Sequence, residues 1–118
     1  MIEVQVVSYL MDKTLADKDV YAERPTRIPK LYILIEKTGS QMDDMITTST
    51  ITIQSIADSM QKGTLLDAMA LNEEVKAAME ALEAEPDIVM VRLNSDYNFT
   101  DPSTKEYRYQ AVYQITHY

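Results

Sequence analysis

RPTRIPKLYILIEKTGS, residues 24–40, is the stretch that decides how this chain is read. Pro25 and Pro29 each fix φ near −65° and lack an N–H, so Arg24–Lys30 cannot be helical and is expected to lie extended on the surface. Five apolar residues follow without a gap, Leu31-Tyr32-Ile33-Leu34-Ile35, and Glu36-Lys37 with the Thr38-Gly39-Ser40 turn ends them. A short apolar run rich in β-formers and closed by turn residues predicts a strand buried on both faces. A stiff arm carrying Arg24 and Arg27 and joined directly to a core strand suits gripping a neighbour better than performing chemistry.

Working outward, Ile46–Ile56 alternates, with Ile51, Ile53 and Ser55 opposite Thr50, Thr52 and Gln54. This pattern predicts a second strand, paired with the first around a polar loop, Thr38–Met45, with Asp43-Asp44 at its tip. From about Ser59 to Ala84 the period changes. Leu65, Ala68, Leu71, Val75, Ala78, Met79 and Leu82 form one helical stripe that Pro86 terminates, and Gly63 weakens its first turn. Ile88–Leu93 is expected as a strand, Asn94–Ser103 as a loop, and Tyr107–Thr116 as a closing strand with Tyr107, Tyr109, Ala111, Tyr113 and Ile115 on one face. Residues 2–15 carry both periods: Ile2, Val6, Tyr9, Leu10 and Leu15 can share a helical face, while the β-branched Val4, Val6 and Val7 favour a strand. Helix is the preferred reading, and Val20–Glu23 reads as a short strand or the base of the arm. The order is then α-β-β-β-α-β-β. The fold class expected is α+β, a mostly antiparallel sheet of four or five strands with two helices packed on one face, in a single domain spanning 1–118.

Composition narrows the function. The 118 residues are 46% hydrophobic and 25% charged, enough to fold as one globular domain and too apolar for disorder. No apolar run approaches the roughly 18 residues of a membrane helix, the N-terminus lacks a signal-peptide pattern, and there is no cysteine, so a reducing compartment without membrane attachment is expected. Nineteen acids against 11 bases give a net charge of −8, which opposes tight nucleic-acid binding and would let nucleic acid slide past.

Candidate chemistry is sparse. His117 is the only histidine, and one residue from the end it is expected to fray rather than serve a triad. The acid pairs Asp43-Asp44 and Glu73-Glu74 are sequence neighbours, whose side chains diverge on a helix or strand, so solvated faces explain them better than a shared-proton dyad. Asp96–Asp101 has oxygen side chains at alternate positions like a calcium loop, but Asp101 stands where the turn glycine belongs and Tyr107 where the bidentate glutamate belongs. No enzyme, metal or cofactor is expected. The tyrosine row Tyr107/Tyr109/Tyr113 reads first as sheet packing and second as a contact between subunits.

Four segments in this order carry a resemblance: YAERPTRIPKLYILIEKTGS at 21–40, TITIQSIADS at 50–59, LDAMALNEEVKAAMEAL at 66–82 and LNSDYNFTDPSTKEYRYQAVYQITHY at 93–118. Together they resemble the tail-terminator (head–tail joining) proteins of long-tailed bacteriophages; the tail-completion proteins of the neck are a neighbouring class. The resemblance implies a hexameric ring in the virion, assembled in the host bacterial cytoplasm from chains that can stay monomeric until a partner is present. Such a ring would cap the tail tube protein, meet the head-completion or connector protein, and pass DNA through its lumen without specific binding. It brings no catalytic residues. From the residues themselves the candidate subunit contacts are Arg24, Pro25, Arg27, Ile28, Pro29, Lys30, Asp43, Asp44, Tyr107 and Tyr109. A small adaptor that binds a protein at a sheet edge is the competing class.

Overall fold

Strand pairing organises the chain around Ile46–Asp58. A computed structural model describes all 118 residues. In it a helix α1 (Ile2–Leu10) precedes strands β1 (Val20–Tyr21), β2 (Leu31–Asp43) and β3 (Ile46–Asp58). The helix α2 (Leu65–Glu80) and the strands β4 (Ile88–Asn98) and β5 (Glu106–His117) follow. The five strands form one sheet in the order β1-β2-β3-β5-β4. Only the two-residue β1 is parallel to its neighbour; every other pairing is antiparallel. This is the α+β architecture expected from the sequence.

The two faces of the sheet differ because the side-chain period is two. Directly opposed residues share a face, so Ile35, Ile53 and Ala111 form one row across β2, β3 and β5, and Ile51 and Tyr113 belong to the next. On that face sit both helices: Ile2, Val6 and Leu10 of α1 and Leu71, Val75 and Met79 of α2 join Ile33, Ile35, Ile51, Ile53 and Ile115 in a single core. The opposite face presents Thr48, Thr50, Gln54, Gln110, Gln114 and Thr116 and carries no helix. Tyr32, Ile33 and Ile35 are fully buried, so the five-residue run is core as read, with Leu34 partly covered.

Several boundaries move. β2 does not stop at a Thr38 turn but continues to Asp43, and the hairpin closes over Asp44 and Met45 alone, with Asp43 paired to Ile46. Glu36–Met45 is exposed throughout. Both faces of this half-strand are wet, so it has no hydrophobic alternation to read; Gly39 marks a bulge, where the register shifts between Lys37 and Gly39, rather than a turn. β4 likewise runs through Asn94-Ser95-Asp96 to Asn98, absorbing their polar character in a second exposed strand with bulges at Ile88/Met90 and Leu93/Ser95. The ambiguous N-terminus is helical only to Leu10, and Leu15 lies beyond it, exposed.

The long helix starts at Leu65, not Ser59. Thr64 accepts from Asp67 N while Asp67 accepts from Thr64 N, a reciprocal cap that satisfies two of the donors a helix start leaves free. Gly63 is therefore not a weak helical residue. It sits in the connection where a Cβ would lie 2.8 Å from both N and O of Asp58, and its own N–H donates to Asp58 O at 2.9 Å. Backbone atoms cannot yield as a side-chain tip does. Gly63→Ala is expected to cost about 1–3 kcal/mol, the range for overpacking; urea unfolding with an unchanged m-value checks it.

Candidate assembly surfaces

Three regions outside the core bear on function: the arm, the hairpin end, and the open face of the sheet.

The arm is fastened to its own chain. Arg24 donates through Nη1 to Glu106 Oε1 at 3.0 Å and through Nη2 to Oε2 at 3.2 Å, and Nη1 also reaches the Tyr32 hydroxyl at 3.2 Å. Tyr32 in turn donates to Glu106 Oε2 at 2.6 Å. A forked guanidinium is the one side chain that can meet both carboxylate oxygens in a plane. Glu106 is 4% exposed, so without Arg24 its charge would be buried against a single hydroxyl. Burial, and then the bond to Glu106, push the Tyr32 phenol far above its ordinary range. The hydrogen bond to Glu106 holds the Arg24 guanidinium above its own. At the far end Asp58 N donates to Lys30 O at 2.8 Å, and Gln61 Nε2 donates to Ile28 O. Pro25, Ile28 and Pro29 are half-buried, while Arg27 and Lys30 are exposed and make no ion pair.

Of the other predicted contact residues, Asp43 and Asp44 are together at the hairpin end, Asp44 with a φ of 56°, flanked by Met42 and Met45 at 73% and 84% exposure. Tyr107 and Tyr109 are half-buried on β5, far from that end, opposite Ala57 and Ser55. The structure thus brings Arg24 to the start of β5, and leaves the two aspartates at the other end of the sheet.

His117 does not fray. It is in register with Thr47 and Ile88, and its Nε2 lies 2.9 Å from Ser49 Oγ. Asp96, read as a loop oxygen, is a strand residue facing α2: Asn72 Nδ2 donates to it at 2.6 Å and Lys76 Nζ at 2.5 Å. Burial alone would raise its carboxyl, but the bonds from Lys76 and Asn72 outweigh that and hold it below the usual carboxylate range. No three His, Cys, Asp or Glu side chains converge as metal ligands would.

One feature had no sequence signal. On the open face Gln54 donates to Gln110 Oε1 at 3.0 Å and Gln110 donates to the Tyr97 hydroxyl at 2.6 Å. Beyond them Tyr97 meets Phe99 edge-on with centroids 6.0 Å apart, and the Arg108 guanidinium lies over Phe99 at 5.2 Å. Both rings are about two-fifths exposed, at 41% and 42%. Tyr97, Phe99 and Arg108 stand in a segment read as loop and on the polar side of a strand, and only the extension of β4 puts them on one ledge.

No protein-family model matches the sequence, and no curated protein matches it. A solved structure does share its fold: a chain from the "Virion of native gene transfer agent (GTA) particle" superposes with a TM-score of 0.68 at 15% identity, over 95% of this chain and 90% of that one.

Two outcomes follow from the buried groups. Arg24→Met strands the Glu106 carboxylate and is expected to destabilise by about 2–3 kcal/mol, more than Tyr32→Phe at about 1 kcal/mol, in equilibrium unfolding. At high pH the sign is set by the tyrosines: burial raises the Tyr113 phenol to about 12, above its unfolded value near 10. That contribution is fully present below pH about 10 and is lost as pH rises through the folded value. Tyr113→Phe should flatten the fall in stability between pH 10 and 12, measured by urea titrations across that window.

Proposed function

We propose that this chain is a structural protein of a phage-like virion, and that it closes the tail tube as a ring at the head–tail junction, the tail-terminator role its sequence resembles. The observation that carries the reading is the shared fold with a virion chain across nearly the whole length of both proteins. It joins a sequence resemblance resting on the arm, the β3 end, the helix and the closing strand. Hexamers, contact with tail tube and connector proteins, and a location in the virion all belong to this proposal. So does a non-enzymatic role, which fits a surface of packed strands and ion pairs.

The net charge of −8 supports a lumen that DNA can cross without sticking, since an acidic chain supplies no excess of cations to displace counterions. In a closed ring of identical chains each subunit buries one patch against a different patch of the next. Arg27 and Lys30 are the arm's free cations, whereas Arg24 is tied to Glu106 and cannot be changed without disturbing the fold. Native mass spectrometry, with electron images of the same sample, is expected to show a six-chain species and rings, with Arg27→Glu shifting the balance toward monomer at least threefold. A protein that stays monomeric both alone and with its tail tube protein would end the ring reading.

A further inference from the structure

We infer that the end of the β2–β3 hairpin in one copy seats on the Tyr97/Phe99/Arg108 ledge, at the end of β4 and the start of β5, in the next. This rests on the ring reading and specifies its contact.

The two surfaces complement one another in charge and in side-chain chemistry. Met42, Asp43, Asp44 and Met45 form an exposed tip with two negative charges and two long flexible thioethers. The ledge is its counterpart. Tyr97 is opposed to Gln110, on the same face as Arg108, and the Arg108 guanidinium lies over Phe99, so the arginine and both aromatic rings stand together on the open side of the sheet. The acids near them are already engaged: Glu106 by Arg24, and Asp101 Oδ1 by the N–H and hydroxyl of Ser103. Arg108 makes no ion pair within the chain, and its guanidinium lies over the half-exposed Phe99 ring. A desolvated carboxylate against such an arginine, with methionines against aromatic edges, is a usual combination at the centre of an interface.

The ledge, rather than the free edge of β4, is the receiving surface. That edge is blunted by two bulges and by the Glu83 carboxylate, which accepts from Val91 N at 2.8 Å. The contact must also run between copies. The tip lies beside His117, and Phe99 beside Arg108. Nine residues of strand at about 3.3 Å each put roughly 30 Å between them. Because tip and ledge are different patches, the contact can repeat head to tail, as a ring needs, and linked species larger than a dimer separate that arrangement from a two-fold pair.

The chain has no cysteine, so introduced thiols react alone. Met45→Cys with Phe99→Cys, treated with a short bis-maleimide, is expected to give a ladder of linked chains, while either single variant gives almost none. Asp43→Lys with Asp44→Lys should cut linking at least tenfold at low salt, as should Arg108→Glu, and mixing these two charge-reversed proteins in the cysteine background should restore it. Rings in electron images without a ladder overturn this contact and leave the ring standing. No ladder and no assembled species, with or without the tail tube protein, overturns both.

Discussion

The register of β3 is the constraint on which the rest depends. Thirteen residues long and paired along nearly their whole length on both sides, it assigns each residue of β2 and β5 to one face or the other. A slip of one residue would turn Ile51 and Ile53 to the open side and bring Thr50 and Thr52 under the helices. Burying two hydroxyls in place of two isoleucines forfeits apolar area and leaves polar groups to be satisfied, so the core itself holds the register. The bulge after Lys37 is tolerated because it falls beyond the helices, where neither face is buried.

How far the sequence could be read follows that boundary. Wherever one face meets the core the period is visible: Leu31–Ile35, Ile51–Ser55, the stripe from Ala68 to Leu82, and the alternation from Tyr107 to Ile115 were all legible. Where neither face meets the apolar core, Thr38–Asp43 and Asn94–Asn98, strands look like loops, because their pairing is carried by backbone bonds that any side chain permits. The helix start was misplaced for a related reason. The Thr64/Asp67 cap is a sequence-level signal, but the apolar residues before it, Met60 among them, blurred where the stripe begins.

The arm shows how a correct local reading can leave a long-range fact hidden. Its prolines do keep it out of a helix, and it does lead into the core strand. Yet Arg24 meets Glu106 across 82 positions, and nothing near either residue announces the pair. The consequence reaches past stability. Tyr32 and Glu106 are buried polar groups under the arm, and the guanidinium is what lets them remain there satisfied. The arm is thus a lid on its own sheet as well as a surface offered to others, and only its outer cations, Arg27 and Lys30, stay free for a partner.

The same division of labour sets what the two sheet faces can do. One is committed: α1 and α2 cover it, and any partner there must displace them. The open face has hydroxyls and amides in the middle, bonded across strands by Thr48–Thr116 and Gln54–Gln110, so it is satisfied without a partner and offers little to hold one. Apolar and charged side chains accumulate instead at its two ends, the hairpin tip at one and the arginine–aromatic ledge at the other. A surface that is inert in the middle and adhesive at opposite ends of a body 46 Å long joins copies through unlike ends, tip to ledge, rather than through its satisfied centre.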